Sequence, residues 1–140
     1  MANTRETARA ASDLRIVLGQ LTRRLRAENT FPISQATVLA RLERGGPATT
    51  SALAAAERVR PQSMAQTVTE LEADGLVDRS PDPSDGRRIL IGVTKRGRDV
   101  LTKDRRRREG WLAQAIAELD EDEQALLIRV VPLLRRLAGG

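Results

Sequence analysis

The fold of this chain is constrained most by residues 76–97, which read LVDRSPDPSDGRRILIGVTKRG. Two short runs of strand-forming residues, at 76–79 and 88–93, flank a segment of turn-forming residues. That segment contains Pro81, Asp82, Pro83, Ser84, Asp85 and Gly86. The pattern predicts a β-hairpin. Arg87 and Arg88 follow the tip directly, so the hairpin carries guanidinium groups that could enter a DNA groove.

The residues before the hairpin predict two short helices joined by a tight turn. The first, at 51–57, is rich in alanine and follows two threonines that can cap it. The second starts at Pro61, whose fixed φ suits the first helical position, and stops at Gly75. Its buried stripe consists of Met64, Val68 and Leu71. Together with the hairpin, these helices predict a mostly α fold with a small β wing (α+β), a winged helix-turn-helix.

Four further helices are predicted around this unit. They cover 7–28, 35–44 with Ser34 as a cap, 95–118 with Thr94 as a cap, and a last helix that begins at Asp120. Pro132 should kink the last helix or end it early. The polar run at 103–109 is typical of a solvated helix. The predicted units are an N-terminal dimerisation helix at 1–30, a winged DNA-binding domain at 31–98 and C-terminal dimerisation helices at 99–140.

The first and last helices carry apolar stripes that neither can bury alone. Leucines recur every three or four residues in the first helix, and leucine and valine dominate the last. A homodimer in which both ends of two chains interlock would cover these stripes. The alternative is that both helices pack onto their own domain.

Composition excludes several classes of site. The chain has no cysteine and no histidine, so thiol redox sensing, disulfides, hydrolytic triads and histidine-ligated metals are absent. No tyrosine and only two aromatic residues argue against base stacking on an aromatic platform. No nucleophile–base pair is visible, so an enzyme is not expected, and neither is a metal or a resident cofactor. No apolar run could span a membrane, and residues 1–15 lack a signal core, which predicts a cytoplasmic protein.

The charge balance of 24 basic and 19 acidic residues suits a polyanionic partner, although an arginine-rich solvated surface would give the same numbers. In the second helix of the pair, the face opposite the buried stripe offers side chains that can read base edges in a major groove. These base-readout candidates are Gln62, Ser63, Gln66 and Thr67. The alternative is an ordinary polar helix surface.

Other polar residues border that helix and could bond to phosphates, which requires only donors at the right edge. The phosphate candidates are Thr49, Thr50, Ser51, Arg58, Arg60 and Arg79. Arg79 could instead pair with Asp78 or Asp82. At the wing, we expect Arg87 to enter the minor groove and Arg88 to contact a phosphate. Asp85 is expected to orient an arginine by ion pairing, because phosphate would repel its carboxylate.

The run from Ser34 to Leu101 resembles the MarR family of bacterial winged-helix regulators. The matching pieces are SQATVLARLERGG, TTSALAAAERVRPQSMAQTVTELEADGLVDR, DPSDGRR and VTKRG, in that order. The layout of helices at both ends also resembles the family's dimerisation helices. The resemblance implies a homodimeric repressor on a pseudo-palindromic double-stranded operator, with the two half-sites about one helical turn apart.

The resemblance also implies a small, often anionic aromatic effector bound between the dimerisation helices and the winged domain. Phe31, Trp111 and Arg15 are the candidate ligand residues. Core or dimer packing for the two aromatics, and a solvated surface for Arg15, are the alternatives. The lack of tyrosine departs from many ligand-binding relatives. Two other functions stay open: a winged module that contacts proteins, and a sequence-tolerant architectural DNA binder.

Overall fold

Six helices and one two-stranded hairpin follow one another in a computed structural model that describes residues 3–140. The elements are α1 (Thr4–Arg26), α2 (Ile33–Gly45), α3 (Thr50–Glu57), α4 (Pro61–Ala73), β1 (Val77–Pro81), β2 (Ile89–Val93), α5 (Lys95–Ala117) and α6 (Glu121–Leu137). The predicted mostly α fold with a β-hairpin wing is therefore confirmed.

The helix ends follow the predicted capping residues in most places. Thr49 caps α3, Pro61 is the first residue of α4, and Thr94 caps α5. Gly75 has a φ of 72°, a left-handed conformation that glycine adopts without steric cost and that stops α4. Asp120 caps α6, where it forms a capping box with the third residue of the helix.

One prediction about a helix end was wrong, and one of the two alternatives for Pro132 is excluded. Ser34 does not cap α2, because this helix already begins at Ile33 after Pro32 and has no side-chain cap. Pro132 does not end α6 early, because the helix continues to Leu137. Proline removes one N–H from the ladder and can be tolerated inside a helix that other residues continue to support.

The hydrophobic core lies between α2, α3, α4, the hairpin and the start of α5. Its fully buried members include Leu39, Leu42, Leu53, Val68, Leu71 and Ile91. Ile91 is central because it lies between β1 on one side of its strand and the segment between α2 and α3 on the other. It pairs with Arg79 of β1, and its backbone also exchanges two hydrogen bonds with Ala48, of 3.0 and 2.7 Å. The wing is thus attached to the turn between α2 and α3.

A close junction joins the end of α4 to the start of α5. The Thr94 hydroxyl donates to the Gly75 carbonyl at 2.7 Å and accepts from the Gly97 N–H at 3.0 Å. Gly97 is buried, and a Cβ there would collide with the Leu76 carbonyl oxygen and lie 2.8 Å from Val93 Cγ2. Gly97 therefore weakens the helix only in intrinsic propensity, and its missing side chain is what allows the helix to approach the wing.

The outer helices are left largely uncovered by their own chain. Among the described residues, α1 and α6 bury none completely. The accessible surface is 10,488 Å², whereas a compact protein of this mass exposes about 7,200 Å². None of the helices in residues 3–140 combines the length and hydropathy that a bilayer crossing requires.

Two alanine substitutions in α5 test the junction. Gly97→Ala should lower the free energy of unfolding by about 1–3 kcal/mol or more, because the new methyl group has no room. Gly110→Ala should raise it by about 0.5–1 kcal/mol, because a Cβ there meets nothing within 4 Å and alanine favours a helix. Urea unfolding monitored by circular dichroism measures both. Equal effects of the two substitutions would contradict the close approach at Gly97.

Candidate nucleic-acid interface

Helix α4 is the second helix of a helix-turn-helix whose tight turn is visible in the backbone. Arg58, the residue after α3, has a φ of 54° and is the only non-glycine with a positive φ in residues 3–140. The Val59 N–H reaches back to the Ala54 carbonyl at 3.1 Å, which closes the end of α3. Pro61 then starts α4 in a new direction.

The base-readout candidates on α4 differ in exposure. Gln62, Ser63 and Gln66 are exposed, as a reading surface requires. Thr67 is half-buried: its hydroxyl donates to the Ser63 carbonyl at 3.1 Å, and its side chain lines a pocket beside α2. Gln62, Ser63 and Gln66 therefore form the accessible part of the predicted set.

The side chain of Gln66 has a partner that sequence reasoning missed. Its Nε2 donates to Glu70 Oε1 at 3.3 Å, and the other carboxylate oxygen of Glu70 accepts from Gln35 Nε2 at 3.1 Å. The four-residue spacing of Gln66 and Glu70 is a detectable signal, since such pairs meet on one helix face. Gln35 lies on α2, and no local pattern connects it to α4.

The phosphate candidates lie in and around the helix-turn-helix. Thr49 accepts from the Ala52 N–H at 3.1 Å and Thr50 begins α3, while Ser51, Arg58 and Arg60 are exposed. Arg79 pairs with Glu72, at 3.0 Å between Nε and Oε2, so the predicted pairing with Asp78 or Asp82 is wrong. Glu72 is in the last turns of α4, and this pair links that helix to β1.

At the wing tip, the two carboxylates make different contacts from those predicted. Asp85 accepts from the backbone N–H of Arg87 at 3.1 Å and shapes the turn. The ion pair with an arginine belongs to Asp82, whose carboxylate lies 3.9 Å from Arg88 Nε. Hydrogen bonds donated by the Ser84 N–H and hydroxyl, together with the Arg88 charge, hold the pKa of the Asp82 carboxyl below its ordinary value. Arg87 has an exposed side chain, as a groove contact requires.

The three candidate ligand residues are not brought together. Phe31 lines a pocket of about 270 Å³ with residues from α1, α2 and α5, which include Arg26, Arg44 and Arg108. Trp111 lies outside that pocket, where the Arg24 guanidinium stacks 4.4 Å from the centre of its ring. Arg15 is exposed on α1 and does not line the pocket either.

A buried carboxylate lies at the wall of this pocket. Asp104 is 1% exposed and accepts three hydrogen bonds from Thr30, one from its hydroxyl at 2.8 Å and two from its backbone N–H. The prediction that the run at 103–109 is solvated is therefore wrong at Asp104. Asp104 fastens α5 to the segment between α1 and α2.

The MarR family model matches residues 31–89, from just before α2 to the first residue of β2. An HTH-type transcriptional regulator of Mycobacterium tuberculosis is 39% identical over 133 residues, which cover 93% of each chain. The chain belongs to the MarR family.

Solved structures agree with this MarR-family assignment. A crystal structure from Pseudomonas aeruginosa PA01 is 42% identical, with a TM-score of 0.81 and coverage of 97% of this chain and 98% of that chain. A MepR mutant of S. aureus, solved bound to an oligodeoxyribonucleotide, is 18% identical with a TM-score of 0.72, over 93% and 96% of the two chains. At that identity, the likeness to MepR concerns the fold alone.

This member of the MarR family is a transcriptional regulator with a DNA-binding winged helix, and its relatives are regulators rather than enzymes. Within the part of the chain that the structure describes, no group of three or more acidic, histidine or cysteine residues is placed to hold a metal.

Proposed function

We propose that this protein is a homodimeric repressor that reads a pseudo-palindromic DNA site through α4 and the wing. A small aromatic anion would release it from that site. The observation that carries the DNA-reading part is the exposed polar face of α4, held rigidly on a buried core. Gln62, Ser63 and Gln66 present amides and a hydroxyl there, and these groups match base edges in the major groove.

The wing and the helix-turn-helix supply the contacts that position such a reader. Arg58 and Arg60 lie just before α4, and their exposed side chains can bond to phosphates at the edge of a groove. Arg87 extends from the wing tip, and the negative potential of a narrow minor groove attracts arginine. The MepR mutant that shares this fold was solved bound to an oligodeoxyribonucleotide, which supports the same use here.

The dimer is supported by apolar surface that the single chain leaves exposed. Helix α1 exposes Ile16, Val17, Leu18 and Leu21, and α6 exposes Leu126, Leu133 and Leu137. The accessible surface exceeds that of a compact monomer by roughly 3,000 Å². Permanent dimers bury about 2,000–5,000 Å² in total, so the excess is large enough for such an interface.

A symmetric dimer would present two copies of α4 to DNA. Their half-sites would be about 34–36 Å apart, or one helical turn of DNA, when both copies read the same face of the duplex. A ligand that changes this separation would weaken binding without touching the reading residues.

The effector proposal is supported by the pocket that contains Phe31. Three arginines, one aromatic ring and the Thr30-bonded Asp104 line its wall, and the excess of positive charge suits a flat anion. Because its residues come from α1, α2 and α5, an occupant would contact both an outer helix and the winged core. A non-covalent organic ligand fits a chain that has neither cysteine nor histidine for oxidant or metal sensing.

The reading surface is tested on a site selected from random DNA. Gln66→Ala and Arg87→Ala should each weaken binding to that site by roughly 5- to 150-fold, the worth of one good base contact. Arg107→Ala, an exposed arginine in the middle of α5, should change it little. Fluorescence anisotropy at fixed salt measures the affinities. Unchanged affinity in both test variants would mean that the assigned surface is wrong.

The same titration separates the other functions. A protein-contact module would not bind DNA at physiological salt. An architectural binder would bind the selected site and random DNA about equally. A repressor of the proposed kind should prefer its selected site by roughly 10³-fold or more.

The dimer is tested on α6. The double variant Leu126→Glu and Leu133→Glu should sediment as a monomer at micromolar concentration, because two charges would enter an apolar interface. It should also lose most of its DNA affinity. The control is Ala125→Glu, which adds a charge about 100° away from Leu126 around the helix axis. It should leave the dimer intact. Analytical ultracentrifugation decides the matter: a wild-type monomer, or a dimeric double variant, would contradict this interface.

The effector pocket is tested with benzoate and its neutral analogue benzamide. Benzoate should release the protein from DNA and benzamide should not, since arginines line the pocket. Arg44→Gln should raise the benzoate concentration needed by roughly 10-fold or more, as expected for a lost hydrogen bond to a charged group. Arg107→Gln is the control. If benzoate binds wild type and Arg44→Gln equally, the pocket is not its site.

A further inference from the structure

Glu70 holds two amides at once. One oxygen of its carboxylate accepts from Gln66 on its own helix, at 3.3 Å, and the other accepts from Gln35 on α2, at 3.1 Å. A carboxylate has only acceptors, so each amide must turn its NH₂ group toward Glu70. The position of the Gln66 nitrogen is therefore set by chemistry rather than by free rotation of the side chain.

Gln35 is the fixed end of this chain of hydrogen bonds. It is 7% exposed and lies in the same helix as the core residues Val38, Leu39 and Leu42. A buried side chain has few rotamers available. The side-chain N–H of Gln35 therefore holds the exposed carboxylate of Glu70 from a fixed position. Gln35 itself is too deeply buried to contact DNA.

Holding the Gln66 amide in this way has a consequence for base recognition. An amide has two N–H donors and one carbonyl acceptor. With one N–H bound to Glu70, the other N–H and the carbonyl remain, and together they match N7 and N6 of adenine. Guanine offers two acceptors, N7 and O6, at the same edge. A glutamine that rotates freely can turn its NH₂ group toward both N7 and O6. A glutamine whose NH₂ group is bound to Glu70 presents its carbonyl to O6, and these two acceptors repel each other.

We propose that Gln35 and Glu70 are positioning residues that fix the amide of Gln66, and that this arrangement makes the protein prefer adenine over guanine at one base pair of each half-site. The proposal rests on the reading role proposed for Gln66. It adds a specificity determinant that lies in the core of the winged domain, away from the DNA.

The test compares the four bases at every position of the selected site, one substitution at a time. Gln66→Ala should flatten the preference at one position, and this identifies the base pair that Gln66 reads. Gln35→Met has a similar volume and no donor. It should lower the adenine-over-guanine ratio at that same position by roughly 2- to 10-fold, the worth of one hydrogen bond. Preferences elsewhere and affinity for random DNA should not change.

Thr37→Val is the matched control for Gln35→Met. Thr37 is on the same helix and half-buried, and its hydroxyl donates to the Ile33 carbonyl rather than to Glu70. It should leave every base preference unchanged. A general disturbance of α2 would instead lower binding to all sequences in both variants.

Glu70→Gln gives a second measurement. Its side chain is exposed, so this variant tests the proposal even if Gln35→Met fails to fold. Loss of the negative charge should raise affinity for all DNA. Loss of one acceptor should lower the adenine-over-guanine ratio at the Gln66 position, because an NH₂ group then replaces one of the two oxygens that hold the amides.

The outcomes separate the two proposals. If Gln66→Ala changes no preference, the reading role of Gln66 is wrong. If Gln66→Ala flattens one position but neither Gln35→Met nor Glu70→Gln alters the ratio there, Gln66 reads DNA unaided and the positioning role is overturned.

Discussion

The junction at Thr94 is the constraint on which the rest of the winged domain depends. Its hydroxyl donates to the Gly75 carbonyl, just after α4, and accepts from the Gly97 N–H in the first turn of α5. The backbone N–H of Thr94 donates to the Leu76 carbonyl at 3.0 Å. Gly97 lets the backbones meet at this point. Because α4, β1 and α5 converge there, the angle between α4 and the hairpin is fixed by backbone contacts rather than by surface side chains.

Burial is distributed unevenly along the chain. The segment from α2 to the start of α5 closes a complete hydrophobic core, whereas α1 and α6 contribute no fully buried residue among those described. Hydrogen bonds from Thr30 to the buried Asp104 join the two parts. These hydrogen bonds fix the segment between α1 and α2 to α5.

Local features of the fold could be predicted from the sequence because their causes are local. Hydrophobic spacing revealed α4, and the glycine after it revealed where it stops. The site was less predictable where two distant segments meet. Asp104 lies 74 residues from Thr30, and Gln35 lies 35 residues from Glu70. At the wing tip, Asp82 and Asp85 are both close to Arg88 in the sequence, and the turn geometry decides which of them faces it.

The stacking of Arg24 on Trp111 has a practical consequence. Trp111 is the chain's single tryptophan, and it is positioned where α1 meets α5, outside the winged core. Its fluorescence therefore arises where α1 and α5 are in contact. Emission from the unlabelled protein reports locally on how α1 and α5 are packed.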